Sequence, residues 1–252
     1  MAIDLQALRE KHAALSKPAG GGDNDFVNNF FQLKIGTNIA RILPAKDDDT
    51  QFFAETKIHR VPDGTDAEGK PKVKNYHCRK IHDENCPLCD AYYSLWKPPY
   101  GSKEDEALAR IIKPRSRFYM NAVDKESGEV KILSVGVIIF NKILAALLDE
   151  DFGDITDLEN GYDFKIVKIM DGQWPKYDQS APRPKQTPAG TKKEIATFMD
   201  SLHDTQALVK LEDYDDLKLV AQNLLPSPSG SMSMPESTEQ VGDDDYLEKM
   251  SK

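Results

Sequence analysis

Cysteine is scarce in this chain, at three of 252 residues. So small and odd a number excludes a disulfide-built framework and points to a reducing cytosol. Long apolar runs are missing as well. None approaches the roughly 20 residues that span a bilayer, so no membrane partner is expected. The first residues, MAIDLQALREKHAAL, are amphipathic and lack the charged-then-apolar order of a secretion signal. Reaction-bearing patterns are also missing. There is no nucleophile–base spacing and no HExxH, and Gly20 to Gly22 lack the strand before and the Lys-Ser/Thr after that a phosphate loop needs. That glycine run reads as a hinge, and the chain is not expected to be an enzyme. The acid runs Asp47 to Asp49 and Asp243 to Asp245 read as solvated surface.

Net positive charge is lacking overall, with a formal charge of −9. A uniformly basic nucleic-acid binder is thereby excluded, but distribution matters more than the sum. From Lys57 to Arg117 there are 13 Lys and Arg against nine Asp and Glu. From Glu236 to the end, six acids face two lysines. The chain has a basic middle and an acidic end. Its hydrophobic fraction of 39% is enough for most of it to fold.

Three regions follow from composition. Residues 1–25 are a short helical arm and the Gly-rich linker KPAGGGDND. Residues 26–225 are the core. Residues 226–252 are a low-complexity linker and the acidic tail, with Tyr246 and Leu247 embedded in it. Within the core, strands are expected at 26–35, 38–43, 52–58, 73–78, 115–124, 129–135 and 161–170, separated by turn residues. Helices are expected at 89–97, 104–112, 137–148 and 214–225, and from a capping box at Thr191 and Glu194 to Leu202. The Pro-rich basic stretch 178–190 reads as a mobile loop. Short, turn-separated strands with inserted helices define a mainly β, α+β fold. They suit an OB-fold, a five-stranded barrel, better than a parallel sheet.

The three cysteines sit together. Cys86 and Cys89 form a CxxC knuckle, and Cys78 lies just ahead of it. With one histidine they make a Cys₃His set, an ordinary tetrahedral zinc site. His77 is adjacent to Cys78, so in a strand it points to the opposite face. His82 would strain so short a loop and is the fallback. His59, across the 63–72 loop, faces Cys78 if the flanking strands pair, and is preferred. A redox CxxC would need a βαβ setting that is absent here. No open coordination position with a general base is evident, so one structural Zn2+ is expected, clamping a subdomain of about residues 59–97.

Beside this cluster, cations and aromatics interleave. Lys113, Arg115 and Arg117 alternate and run into Phe118 and Tyr119. Tyr92, Tyr93, Trp96 and Tyr100 precede them, and Trp174 and Tyr177 follow near Arg183 and Lys185. Single-strand binders need this mixture: cations track phosphates, and each base stacked on a ring contributes about 1–3 kcal/mol without demanding sequence. The competing reading is a zinc-ribbon module that binds protein and has no affinity for DNA.

Several segments, in order, resemble the zinc-containing single-stranded-DNA-binding proteins of tailed phages, the helix-destabilising replication proteins. They are TNIARILP (37–44) with Arg41; Phe53 and Ala54 ahead of His59; Cys78 with Cys-Pro-Leu-Cys (86–89); Lys113 to Val123 with Asn121; and Gly161 to Lys168 followed by Trp174, Tyr177 and Asp178. The resemblance implies an OB-fold core with an integral zinc subdomain, and it supports His59 as the fourth ligand. It implies Arg41, Lys113, Arg115 and Arg117 as phosphate contacts, and Phe118, Tyr119, Trp174 and Tyr177 as stacking residues. It also implies roles in DNA replication, recombination and repair in the cytoplasm of an infected bacterial host, with residues 236–252 docking phage replication proteins. The N-terminal arm lacks the basic cluster the family uses to self-associate along DNA, so self-association would use other contacts.

Overall fold

The structure is a computed structural model that describes residues 28–225 apart from 47–50, 67–68, 70 and 173. The expected arm at 1–25 and the linker and tail at 226–252 lie outside the described residues. Eight strands form one curled antiparallel sheet: β1 (Gly36–Ile42), β2 (Phe53–Thr65), β3 (Pro71–His77), β4 (Arg115–Asp124), β5 (Val130–Val135), β6 (Tyr162–Asp171), β7 (Trp174–Lys176) and β8 (Ala181–Gln186). Five helices are set into it: α1 (Pro87–Ser94), α2 (Lys103–Ile112), α3 (Val137–Leu147), α4 (Lys192–Asp200) and α5 (Tyr214–Leu224). The expected mainly β, OB-like architecture with inserted helices is present. It is a half-barrel with more strands than the five of a minimal OB barrel.

Strand β4 is the seam. Its first half pairs with β2 (Thr56 opposite Arg117), and its last residues pair with β1 (Arg41 opposite Val123). Its other edge carries β5 (Phe118 opposite Val135). Side chains alternate across a pleated strand, so β4 serves two environments. Phe118, Met120 and Ala122 point into the main core with Ala40, Ile42, Leu133, Phe164 and Ile166. Tyr119 points to the opposite face, against Ala54, Ile58 and Ile132.

Helix α3 closes the main core. Its sequence, VIIFNKILAAL, turns Ile139, Phe140, Ile143 and Ala146 inward at helical spacing. The Phe140 ring stacks on Phe118 with centroids 3.7 Å apart and planes 7° from parallel. Phe53 meets the same ring edge-on at 4.7 Å.

Two expected elements differ. Of the strand expected at 26–35, the described residues 28–35 do not make one: Phe30 forms a single bridge to Ile132. The Asn38 side chain takes both backbone groups of Lys34, accepting from its N–H at 2.8 Å and donating to its carbonyl at 2.8 Å. Those groups are therefore lost to any ladder. The stretch 178–190, expected as a mobile loop, contains β8, which pairs with β6 across a bulge between Tyr162 and Phe164. Pro182 and Pro184 are tolerated because β8 pairs with β6 alone, leaving one flank free of ladder bonds. The capping boxes are as the sequence suggests for α4 (Thr191 and Glu194), with a second one at α2 (Ser102 and Asp105).

Because Phe140 is the shared partner of two rings, Phe140→Ala should cost about 3–5 kcal/mol of stability. Urea unfolding followed by circular dichroism measures this; a loss below about 1 kcal/mol would show that α3 is not a core element.

Candidate functional site

Strand pairing builds the metal centre from two passes of chain. His59 lies on β2 opposite Tyr76 of β3. Cys78 follows directly after β3, and its backbone N–H donates to the Lys57 carbonyl at 2.7 Å. Contrary to the expectation from sequence, His59 and Cys78 are not direct cross-strand partners; Cys78 reaches the histidine from beyond the strand end. Cys86 sits at the N-cap of α1, Pro87 occupies its first turn, and Cys89 lies one turn in. All four side chains are buried, and their ligand atoms lie within 4.8 Å of one another.

The distances suit a tetrahedral ion. Cys78 Sγ is 3.4 Å from Cys89 Sγ, and His59 Nε2 is 3.5 Å from both Cys86 Sγ and Cys89 Sγ. A tetrahedron with metal–sulfur bonds of about 2.3 Å and a metal–nitrogen bond of about 2.0 Å has edges of roughly 3.5–3.8 Å. His59 Nδ1 donates to the Ile112 carbonyl at 2.7 Å, which turns the Nε2 lone pair toward the sulfurs. His77 is engaged elsewhere, with Nδ1 2.8 Å from Thr56 Oγ1. His82 is exposed on the 3-10 turn Arg79–His82. The residues present therefore fit one metal ion.

The four groups are coupled electrostatically. Hydrogen bonds from Cys78 and Cys89 pull the Cys86 thiol well below the usual thiol range. The neighbouring Cys78 and Cys86 push the Cys89 thiol well above it. Burial works against a charged His59, but its bonds to Cys78 and Cys86 prevail and raise it to about 9. With protons as the only cations, one thiolate forms readily and the next is resisted. A dication removes that resistance, because it binds thiolates and not thiols. Cys86→Ser should reduce bound metal from one ion per chain to none and lower the melting temperature. Elemental analysis of purified protein checks the first and calorimetry the second; full metal content in the variant would exclude Cys86 as a ligand.

The cation and aromatic candidates separate into core and surface. Arg41 is 0% exposed. Its guanidinium donates to the carbonyls of Asp157 (2.8 Å) and Thr187 (2.6 Å) and lies 3.5 Å from Asp163 Oδ1. Gly161 makes room for it: a Cβ there would sit 2.9 Å from Arg41 Nη2 and 2.3 Å from the Asp157 carbonyl. Arg41 is an internal tie, not a phosphate contact. Phe118 has one face covered by Phe140, and Tyr177 is buried in the same core, so neither offers a ring to a base. Tyr119 is buried beneath Phe30, Leu208 and Val209. Arg115 is buried, with Nη2 donating to the Arg110 carbonyl at 3.2 Å.

Half-exposed positions remain for Lys113 at the end of α2, Arg117 on β4 and Trp174 in the β6–β7 hairpin. Sequence reasoning missed Arg60. Arg117 pairs with Thr56, and Arg60 lies four residues further along β2, so the pleat puts both guanidinium groups on one face. Burial lowers the pKa of Arg60, and the charge of Arg117 lowers it further. Two like charges on one sheet face suit an anionic ligand. The signal was available as a period-two register, but only once β2 and β4 are known to pair. Tyr93 and Trp96 of the metal subdomain are also exposed, beside Lys80 and Arg110.

No curated protein matches the chain. A family model described as gp32 DNA binding protein like matches residues 34–225. That span takes in the whole sheet, the four-residue metal cluster and all five helices, and the chain belongs to this gp32-like DNA-binding family.

Proposed function

We propose that this protein binds single-stranded DNA without sequence preference, as a phage replication protein that also serves recombination and repair. The observation that carries the reading is the Arg60–Arg117 pair, two guanidinium groups on one sheet face of a domain belonging to a DNA-binding family. Phosphates of a flexible strand would lie along these guanidinium groups, with Lys113 close by in sequence to extend the track. Trp174, Tyr93 and Trp96 are the accessible rings for stacking. The ion is zinc: three soft thiolates and one imidazole in a closed tetrahedral set favour it over harder cations. It holds the subdomain beside β2 in shape and performs no reaction.

Residues 236–252, with six acids against two lysines, compete with DNA for the cationic face and offer a docking segment for replication proteins. Neighbouring copies associate along the strand through contacts other than a basic arm. The site of action is the cytoplasm of the infected bacterium.

Titration of oligo-dT against tryptophan fluorescence tests the reading. Quenching with a steep salt dependence is expected, because each phosphate contact contributes about −0.7 to the slope of log K against log salt. Arg60→Ala with Arg117→Ala should weaken binding and flatten that slope by roughly one to two contacts. A chain that binds zinc but shows no affinity for oligo-dT would be a protein-binding zinc module instead. Removing residues 236–252 should tighten binding, most at low salt, since the competition is electrostatic; equal affinity at every salt concentration would eliminate the competition.

A further inference from the structure

Helix α5 comes from the far end of the core, yet it is built into the metal subdomain. Leu217 is 0% exposed and, with Ala221, lies in the same apolar cluster as Cys78, Cys86, Leu88 and Cys89. Val220 and Leu224 pack against that cluster from the same helix. The start of α5 is held from the ligand loop itself. Arg79, the residue after Cys78, donates from Nη1 to the Glu212 carbonyl at 2.6 Å, and its guanidinium lies 6.0 Å from the centre of the Tyr214 ring.

Helix α1, on which α5 rests, is eight residues long and carries two of the four ligands, at its cap and in its first turn. An eight-residue helix has little stability of its own. Its position follows from the ligands, and the surface it offers α5 follows from its position.

We infer that metal occupancy and the seating of α5 are one coupled equilibrium. Binding of the ion seats residues 213–225. Release of the ion frees the helix. By linkage, α5 must in turn strengthen metal binding by the same factor. The inference rests on reading the four-residue cluster as a metal site.

The test uses the full chain, zinc-loaded and then stripped with a chelator, followed by amide hydrogen exchange. Peptides covering 213–225 should lose protection on stripping, while peptides from β4 and α3 keep theirs. Unchanged protection at 213–225 would overturn the inference, and so would loss of protection throughout the chain, which would mean global unfolding. The reciprocal arm is Leu217→Ala titrated with zinc against a chelating dye. The dissociation constant should rise at least tenfold, and an unchanged constant would overturn the coupling. A wild-type chain that takes up no zinc would sink the metal reading itself, an outcome that elemental analysis separates from a failure of coupling alone.

Discussion

Three thiol groups and an imidazole crowded within 4.8 Å are the constraint around which the smaller of the two main apolar clusters is arranged. Such a cluster is costly without a cation, because thiolates repel and buried unpaired charge is expensive. With one, it becomes the strongest tie in the subdomain. Structural zinc contributes on the order of 10–16 kcal/mol in small metal-folded units, against about 5–15 kcal/mol for the net stability of a typical domain. The apolar cluster around the cysteines, with Leu88, Leu95 and Ile112, is small beside the main core. A bound ion and that small core would therefore work together. The link to the sheet is direct, since His59 belongs to β2 and its second nitrogen is held by the last residue of α2.

A second buried charge organises the barrel end in a different way. Arg41 ties β1 to the 154–161 loop and to the end of β8 through the carbonyls of Asp157 and Thr187, with Asp163 as counter-charge. Lys125 and Arg183 approach the same carboxylate at 3.8 and 3.9 Å. One carboxylate thus collects three cations from β1, the β4–β5 turn and β8. Here the protein spends a fully buried arginine on holding loops together, whereas Arg60 and Arg117 lie half-buried on a sheet face. Burial, not residue type, separates the structural arginine from the two on the sheet face.

Much of this was legible from sequence. Strand β4 runs from Arg115 to Asp124 as its alternation suggests, and the four residues of the cluster could be named from spacing and histidine placement. What failed was depth. Alternation shows that Phe118 and Tyr119 lie on opposite faces, but not that α3 covers one and the 203–209 segment the other. Both coverings come from residues distant in sequence, and no local pattern encodes them. The same holds for Arg41, whose partners at 157, 163 and 187 are more than a hundred residues away. The strand at 181–186 was hidden because its prolines argue for a loop, and only pairing with β6 overrides them.

Those prolines have a consequence beyond the fold. An open sheet edge is a template on which another strand can add, and proteins blunt it with charge and proline. Strand β8 carries Pro182, Arg183, Pro184 and Lys185 in succession. Its outer flank is a poor template for strand addition, so copies crowded together cannot zip into a continuous sheet there.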